Sequence, residues 1–303
     1  MTALLLPCAV DRGAIEGRRA SVSERRVPAP PGAITLKLAT WNIAWLDSEP
    51  GDGENAREER DYALLRSYAQ RLDADIVAFQ EVENELAARR VFEPELYAIV
   101  MEERDDPLRV GFAYKRDLAA RGVSIQRNPD YVALDLGGLR RGIDVTLEAQ
   151  GWSLRLLNVH LKAGCWSDAA KDQAACVKLR TQLARLEDWI DARASEGVAF
   201  VVLGDFNRRL PARDRFWREL DDSEPPNADL SAPGQRLKPA CWGGAFPGFV
   251  DHFVLDRLAT AYLIESSFEE LVYEERGAAA RQRLSDHCPL ALRLALPEEA
   301  QEP

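Results

Sequence analysis

The chain of 303 residues lacks the short motifs that mark several large enzyme classes. It has no Gly-x-Ser-x-Gly elbow, no Gly-x-Gly-x-x-Gly turn and no P-loop, so serine hydrolase, dinucleotide-binding and P-loop functions have no support. The absence of Cys-x-x-Cys and His-Glu-x-x-His argues against a zinc site. No apolar run approaches the roughly 18 residues of a membrane-spanning helix, so no such helix is expected.

Basic residues are also fewer than acidic ones. The chain has 39 basic and 50 acidic residues, which gives a net charge of −11. Because phosphate binding draws on lysine and arginine, this balance argues against a surface built mainly to grip polyanions. A nuclease with a locally favourable groove and metal ions is still compatible with it.

The composition predicts one folded domain between two polar ends. Residues 1–33 combine a short apolar start with a charged, proline-rich stretch, which predicts a flexible leader and resembles the remnant of an export signal. Residues 297–303 form an acidic tail. Residues 34–296 are expected to form a single catalytic domain, since the chain shows no internal repeat.

Short aliphatic stretches and amphipathic periodicity predict an α/β protein. Eight strands are expected, at 34–43, 75–80, 109–114, 143–147, 153–159, 198–203, 249–255 and 289–294. Two amphipathic helices are expected at 57–72 and 177–194. Strands that are apolar on both faces are typical of covered central strands. A sandwich of two sheets with outer helices fits this pattern, and a doubly wound sheet is the competing architecture.

Polar side chains follow several of these strands where each strand ends. One carboxylate after a strand usually meets solvent or caps a helix. Several such ends together predict a site, because strand ends bring distant parts of a chain to one edge of a sheet. The convergent set is Asn42, Glu81, His160, Asp205, Asn207, Asp286 and His287.

Histidine is scarce, and its placement is informative. Two of the three histidines, His160 and His287, fall in the strand-end motifs. The third, His252, adjoins Asp251 within a predicted strand, and neighbouring strand residues point to opposite faces. We therefore expect Asp251 to face the site and His252 to have a structural role.

This set of residues predicts metal-assisted hydrolysis by direct attack of water. Carboxylate and amide oxygens suit a hard ion, Mg²⁺ or Mn²⁺. Histidines can transfer protons, and a carboxylate such as Asp251 can fix the tautomer of His287. Arg140 and Arg141 could bind phosphate oxygens, although a solvated basic turn is an equal alternative.

Six segments together resemble the endonuclease/exonuclease/phosphatase superfamily, of which pancreatic-type deoxyribonuclease is the familiar example. In chain order they are TWNIAWL (40–46), DIVAFQEVEN (75–84), LLNVHLKAG (156–164), VVLGDFNRRL (201–210), FVDHFVLD (249–256) and LSDHCPL (284–290). The resemblance covers roughly residues 34–296. It implies a four-layer α/β sandwich of two packed mixed sheets flanked by helices, and metal-dependent phosphoester cleavage.

The resemblance also implies roles for single residues. Glu81 is similar to the principal metal ligand, with Asn42 assisting and Asp286 at a possible second metal position. Asp205 and Asn207 resemble the pair that orients the attacking water and holds the scissile phosphate.

The remaining roles concern the histidines and an arginine. His287 is similar to the histidine that pairs with a strand carboxylate, here Asp251. His160 matches deoxyribonuclease-like and sphingomyelinase-like members, whereas abasic-site nucleases usually carry tyrosine there, so base-excision repair is not expected. Arg140 lies near the phosphate-contacting arginine of the family, an assignment that Arg141 could also take.

Three functions are compatible with these residues. A nuclease or phosphodiesterase acting on DNA or RNA is favoured. A phosphatase or a sphingomyelinase-like phospholipase is the alternative, motivated by the acidic balance and by Arg208 and Arg209. A binding module on an inactive scaffold predicts a missing catalytic group, and none is missing. The insertion 211–242 is expected to form part of the substrate rim, and no obligate protein partner is indicated.

Five cysteines, an odd number, suggest mostly free buried thiols. Cys165 and Cys176 bracket a polar loop, and a bond between them would place the protein outside the reducing cytosol. The loop resembles that of exported bacterial members, which implies a bridged pair. A periplasmic or secreted location is therefore favoured, and a cytoplasmic one is expected if both thiols are reduced.

Overall fold

A computed structural model describes residues 33–149, 151–170 and 172–296. The predicted leader, apart from Ala33, and the predicted acidic tail lie outside the described residues. Within the described ranges, no helix has the length and apolar character needed to cross a membrane.

The described residues form eleven strands and seven α-helices. The strands are β1 Ile34–Leu46, β2 Ile76–Val82, β3 Tyr97–Met101, β4 Arg109–Lys115, β5 Ser124–Arg127, β6 Ile143–Ala149, β7 Trp152–His160, β8 Ala199–Asp205, β9 Asp251–Leu255, β10 Glu269–Glu270 and β11 Leu290–Leu296. The helices are α1 Glu59–Leu72, α2 Glu85–Val91, α3 Gln173–Glu196, α4 Arg215–Leu220, α5 Cys241–Gly244, α6 Arg257–Ala261 and α7 Ala278–Arg283.

The eight predicted strands are present, with ends that differ by a few residues. Three further strands, β3, β5 and β10, were not expected. β5 has the sequence SIQR and is largely exposed at the edge of its sheet, so it lacks the apolar alternation that marks a half-buried strand. The first helix begins at Glu59, two residues later than predicted, which leaves Arg57 outside it.

The strands form two mixed sheets. The first has the order β10-β11-β1-β2-β4-β3 and the second β5-β6-β7-β8-β9. Each sheet contains one parallel pair, β1 with β2 and β7 with β8, among antiparallel neighbours. The predicted two-sheet α/β sandwich is therefore confirmed, and the doubly wound alternative is wrong because the strands divide between two sheets.

Three apolar clusters define the layers. The central cluster joins inward residues of both sheets, such as Leu38, Val110, Leu156 and Val201. A second cluster packs α1 and α2 on the outer face of the first sheet, and a third packs α3 and α4 on the outer face of the second. Helix, sheet, sheet and helix thus follow one another as four layers.

One polar bridge crosses the apolar layer between the sheets. Asn158 on β7 donates from Nδ2 to the carbonyl oxygens of Phe79 at 3.0 Å and Gly111 at 2.7 Å in the first sheet. Gln80 on β2 donates to Asn158 Oδ1 at 2.8 Å. Asn158 and Gln80 are both fully buried. This bridge fixes how the two sheets sit relative to each other close to their polar edge.

Replacing Asn158 by leucine should lower the free energy of unfolding by about 2 to 4 kcal/mol, because two buried carbonyls and one amide lose their partner. Urea titration followed by circular dichroism measures this. Gln126→Leu on the exposed strand β5 is the control, with an expected change within about 0.5 kcal/mol. Equal unfolding midpoints for the two variants would contradict the bridge.

Candidate metal-dependent hydrolytic site

Three neighbouring strands of the second sheet place functional side chains side by side. Across β7, β8 and β9, His160 is in register with Asp205, and Asp205 with Asp251. Because β9 runs antiparallel to β8, the start of β9 lies beside the ends of β7 and β8. This explains how Asp251, at the beginning of its strand, joins residues that end theirs.

The glycine before Asp205 permits this close strand packing. Gly204 has φ of 138°, and a Cβ built there would lie 2.0 Å from the carbonyl oxygen of Val159. Any other residue would collide with the neighbouring strand backbone. The Gly-Asp pair of the sequence therefore has a steric reason as well as a chemical one.

The first sheet supplies Asn42 and Glu81 through irregular strand ends. The pairing of β1 with β2 shifts register between Asn42 and Leu46, and Glu81 has φ of 59°. Trp45 donates its backbone N–H to Glu81 Oε2 at 3.2 Å, and the backbone N–H of Ala44 reaches Asn42 Oδ1 at 2.9 Å. The irregular backbone thus orients both side chains toward the second sheet.

At the candidate site, the side-chain amide of Asn42 links the two sheets. Asn42 Nδ2 donates to Glu81 Oε1 at 3.0 Å and to Asp205 Oδ2 at 3.1 Å. His160 Nε2 lies 3.5 Å from Glu81 Oε1 and 3.6 Å from Asp205 Oδ2. Glu81, His160 and Asp205 each place one ligand atom within 4.8 Å of the others. These three residues could hold a metal ion.

His287 and Asp251 form a second pair beside this cluster. His287 Nδ1 lies 2.7 Å from Asp251 Oδ2, and His287 Nε2 lies 4.0 Å from Asp205 Oδ2. The next residue on the strand, His252, is buried on the opposite face, where its Nε2 lies 2.8 Å from the carbonyl oxygen of Arg208. The structure thus places Asp251 and His252 as strand alternation predicts.

Asn207 and Arg140 border the same cleft. Asn207 donates its backbone N–H to Asp205 Oδ1 at 2.7 Å and its Nδ2 to the Leu161 carbonyl at 3.0 Å. Arg140 donates to the same carbonyl at 3.2 Å and lines the cleft with Glu81 and His160. Arg141 faces Asp135 instead, at 3.7 Å. Arg140 is therefore the arginine of the pair that faces the site.

The charges of this cleft act on one another. Burial, together with the nearby carboxylate of Asp251, raises the pKa of Asp205 to about 7. Burial and then the positive charge of Arg140 lower the pKa of His160 well below its usual value. Burial opposes protonation of His287, but Asp251 and Asp205 outweigh it and raise its pKa well above the usual value. His160 is thus neutral and His287 carries a proton at neutral pH.

The donor set fits a hard divalent cation. Two groups of possible ligands share Asp205, one with Glu81 and His160 and the other with Asp251 and His287, and Asp251 Oδ1 is buried without a partner among the described residues. Such an excess of oxygen donors and negative charge suits Mg²⁺ or Mn²⁺. Asp286 lines the same cleft, but its carboxylate is half exposed, lies 3.7 Å from Arg281 and belongs to no described cluster of this kind.

Arg208 and Arg209 were expected to be available to a substrate, as a phosphatase or phospholipase would need. Only one of them is. Arg208 is fully buried, and its guanidinium pairs with Asp214 at 2.5 Å and Asp168 at 2.6 Å. It therefore cannot reach a substrate, and only Arg209 borders a cleft.

The predicted rim insertion is also mostly structural. Its helix α4 packs against α3 through Phe216, Trp217 and Leu220. Only Pro239 and Cys241, near its end, border a cleft that adjoins the candidate site. The expectation that residues 211–242 form the substrate rim is therefore wrong for most of the segment, because its apolar side chains cover the outer face of the second sheet.

One residue that links two segments of the candidate site was not predicted from the sequence. Arg57 is fully buried and donates only to backbone carbonyl oxygens, at 2.7 to 2.8 Å, of Ile43, Ala44, Trp45, Arg283 and Leu284. The first three follow Asn42, and the other two precede Asp286 and His287. Ser285 reinforces the link by donating its hydroxyl to the Asn42 carbonyl at 2.7 Å.

Replacing Arg57 by methionine should lower the free energy of unfolding by about 3 kcal/mol or more, because several buried carbonyls lose their donor. Chemical denaturation measures the loss. Arg60→Met, at a side chain that is 69% exposed, is the matched control and should change stability by no more than about 0.5 kcal/mol. Similar stabilities of both variants would refute the role of Arg57.

All four cysteines within the described residues are paired, so the default expectation of mostly free thiols is wrong there. Cys165 is linked to Cys176, the pair that the resemblance implied. Cys241 is linked to Cys288, a pair that was not expected. Their separation of 47 residues left no local sign in the sequence. Because Cys288 follows His287 directly, this second bond fixes the backbone beside that histidine. Cys8 lies outside the described residues.

Peptide mass mapping under non-reducing conditions should recover two cross-linked peptides, Cys165 with Cys176 and Cys241 with Cys288. Replacing Cys241 and Cys288 together by serine should cost about 2 to 4 kcal/mol of stability in thermal unfolding, since a long loop is freed in the unfolded chain. Free thiols at all four positions in the purified protein would contradict the pairing.

Comparison with known proteins places this site in a family. Residues 39–287 match the endonuclease/exonuclease/phosphatase family, so the chain belongs to this family of phosphoester hydrolases. A comparison with curated proteins found no match.

Solved structures share the fold. Truncated Caenorhabditis elegans TDP2 aligns with a TM-score of 0.58 and 16% identity over 86% of this chain and 98% of that one. D. rerio TDP2 complexed with a single-strand DNA product gives 0.59 and 19% over 86% and 98%. The human Nocturnin catalytic domain with bound sulfate gives 0.52 and 13% over 86% and 94%. At these identities the likeness concerns the fold alone.

Proposed function

We propose that this protein is a divalent-metal-dependent phosphodiesterase that cleaves nucleic acid by direct attack of water. The observation that supports it most is the cluster of Glu81, His160 and Asp205, which joins the ends of both sheets and lies beside the His287–Asp251 pair. Family membership and the similarity in fold to a TDP2 bound to a DNA product agree with this function.

Glu81 would hold Mg²⁺, with Mn²⁺ as a substitute, and Asp286 borders the cleft where a second ion could bind. Asn42 was expected to assist as a ligand, but its amide nitrogen donates to Glu81 and Asp205 and its oxygen accepts from Ala44, so in this orientation it would position the carboxylates. When bound, the ion would neutralise phosphate charge and stabilise the leaving oxygen. The neutral His160 imidazole lies between Glu81 and Asp205, where it can bind the ion or contact the substrate.

The remaining residues would bind the phosphate and activate water. Asp205 accepts a proton from the attacking water, and the hydrogen bond from the Asn207 backbone holds its carboxylate in place. Asn207 and Arg140, which both donate to the Leu161 carbonyl, would contact phosphate oxygens from the same side of the cleft. His287, kept protonated by Asp251, donates from Nε2 to a phosphate oxygen as negative charge develops. As the water oxygen bonds to phosphorus, the bond from phosphorus to the ester oxygen breaks. The departing oxygen takes up a proton from solvent, and Asp205 releases its proton to solvent.

The alternative, a phosphatase or phospholipase for a small or lipid phosphoester, loses part of one of its two motives. Arg208 is buried in ion pairs and unavailable to a terminal phosphate, so only Arg209 could serve that purpose. The nucleic acid substrate is therefore the better-supported proposal. We also propose an oxidising compartment, periplasmic or extracellular, on the basis of the two disulfides.

Plasmid and single-stranded DNA should be cleaved with Mg²⁺ and left intact with EDTA. Asp205→Asn should lower kcat/KM by about 10²- to 10⁴-fold, because the variant cannot accept the proton from water. Asp188→Asn on the exposed face of α3 is the matched control and should keep full activity.

Metal binding gives a readout that does not depend on turnover. In calorimetric titration with Mg²⁺ or Mn²⁺, Glu81→Gln should weaken binding, whereas Asp188→Asn should not. Cleavage that persists in EDTA, or full activity of Asp205→Asn, would reject the proposed function.

A further inference from the structure

A second cleft opens beside the metal-binding cluster. It encloses about 440 Å³ and shares Asn207, Asp286 and His287 with the catalytic cleft. A substrate whose phosphate lies at His287 would therefore extend directly into it. The volume is in the range of ligand pockets in general.

The walls of this cleft combine aromatic rings with the guanidinium of Arg209. Trp166, Phe246 and Phe249 supply the rings, Arg209 supplies the positive charge, and the Cys241–Cys288 bond lies along one side. Trp166 is 50% exposed and is the only aromatic residue among the exposed large hydrophobic side chains of the described ranges. An exposed indole at the mouth of a catalytic cleft offers a flat apolar surface to a ligand.

The backbone of Trp166 is held in place although its side chain is exposed. It follows Cys165, whose bond to Cys176 closes the loop. Arg209 donates both its backbone N–H and its Nε to the Trp166 carbonyl, each at 3.1 Å. Gly248 lies under Arg209, and a Cβ there would approach Arg209 Cδ to 3.3 Å. The loop and Arg209 therefore form one preformed element.

We propose that Trp166 and Arg209 form a substrate-binding lip that receives an unpaired nucleobase next to the scissile phosphate. This inference rests on the proposed function and adds that the enzyme prefers single-stranded to duplex nucleic acid. A flat aromatic surface stacks on any base, and an adjacent guanidinium binds the backbone phosphate. The lip therefore selects for single strands without selecting a sequence.

The surroundings favour a nucleobase over an acyl chain. The cleft also presents the carboxylates of Asp251, Glu270 and Asp286, which would be poor neighbours for a lipid tail. A base in a duplex is stacked on both sides and would have to leave the helix to reach Trp166, at a cost of a few kcal/mol. Single-stranded regions and frayed ends should consequently be cleaved faster than intact duplex.

The test measures binding and cleavage separately. In the Asp205→Asn background with Mg²⁺, fluorescence anisotropy gives the Kd of a labelled single-stranded octanucleotide. Adding Trp166→Ala should weaken binding about 5- to 150-fold, which is the usual effect of losing one base–aromatic stack. Trp166→Phe should retain most of the affinity. Leu86→Ala, at an exposed residue that lines neither cleft, should change nothing.

Cleavage is then compared on single-stranded and duplex DNA with Asp205 intact. Trp166→Ala should reduce kcat/KM on single strands and bring the single-strand to duplex ratio toward one. Circular dichroism melting checks that the variant is folded.

The outcomes separate this inference from the proposed function. If the wild-type enzyme cleaves DNA with Mg²⁺ and Trp166→Ala leaves both affinity and ratio unchanged, the lip is refuted and the function stands. If sphingomyelin vesicles are hydrolysed in a Trp166-dependent manner and DNA is not cleaved, both are refuted in favour of a lipid substrate.

Discussion

The hydrogen bond from Asn42 to Asp205 is the contact on which the site depends. The same amide nitrogen donates to Glu81, so one side chain connects carboxylates that belong to different sheets. Its geometry requires the two sheets to keep a fixed separation and register, which the buried bridge of Asn158 and Gln80 enforces close by. The packing of the core therefore sets the positions of the carboxylate oxygens in the candidate site.

Bringing these negatively charged oxygens together has an electrostatic cost, and this cost contributes to the shifted pKa values around the cluster. Burial, and then the neighbouring carboxylate of Asp251, raises the pKa of Asp205 to about 7. A protonated His287 offsets part of the charge from one side, and a divalent ion fits the other. The scaffold must therefore resist the repulsion, and it does so with backbone contacts. Arg57 and Ser285 tie the end of β1 to the segment that carries His287.

One disulfide lines the cleft that extends away from the candidate metal-binding cluster, and the other closes a loop beside it. The first adjoins His287, and the second closes the loop that presents Trp166. Fixed loops at this edge make the substrate surface largely preformed, which reduces the entropy lost when a ligand binds. Most of the proposed catalytic residues lie on strands, with Asn207 and His287 in the segments between strands, whereas Trp166, proposed to select the substrate, lies on a loop that a disulfide closes.

The sequence by itself determined the family and most of the strands, because aliphatic runs and polar strand ends are local patterns. It also indicated that Asp251 and His252 face opposite sides, since strand alternation has a period of two. Only the tertiary structure decided that Arg208 is buried while Arg209 is available, that Arg57 links two segments, and that Cys241 meets Cys288. These facts depend on contacts between residues far apart in the chain, and neither periodicity nor spacing records such contacts.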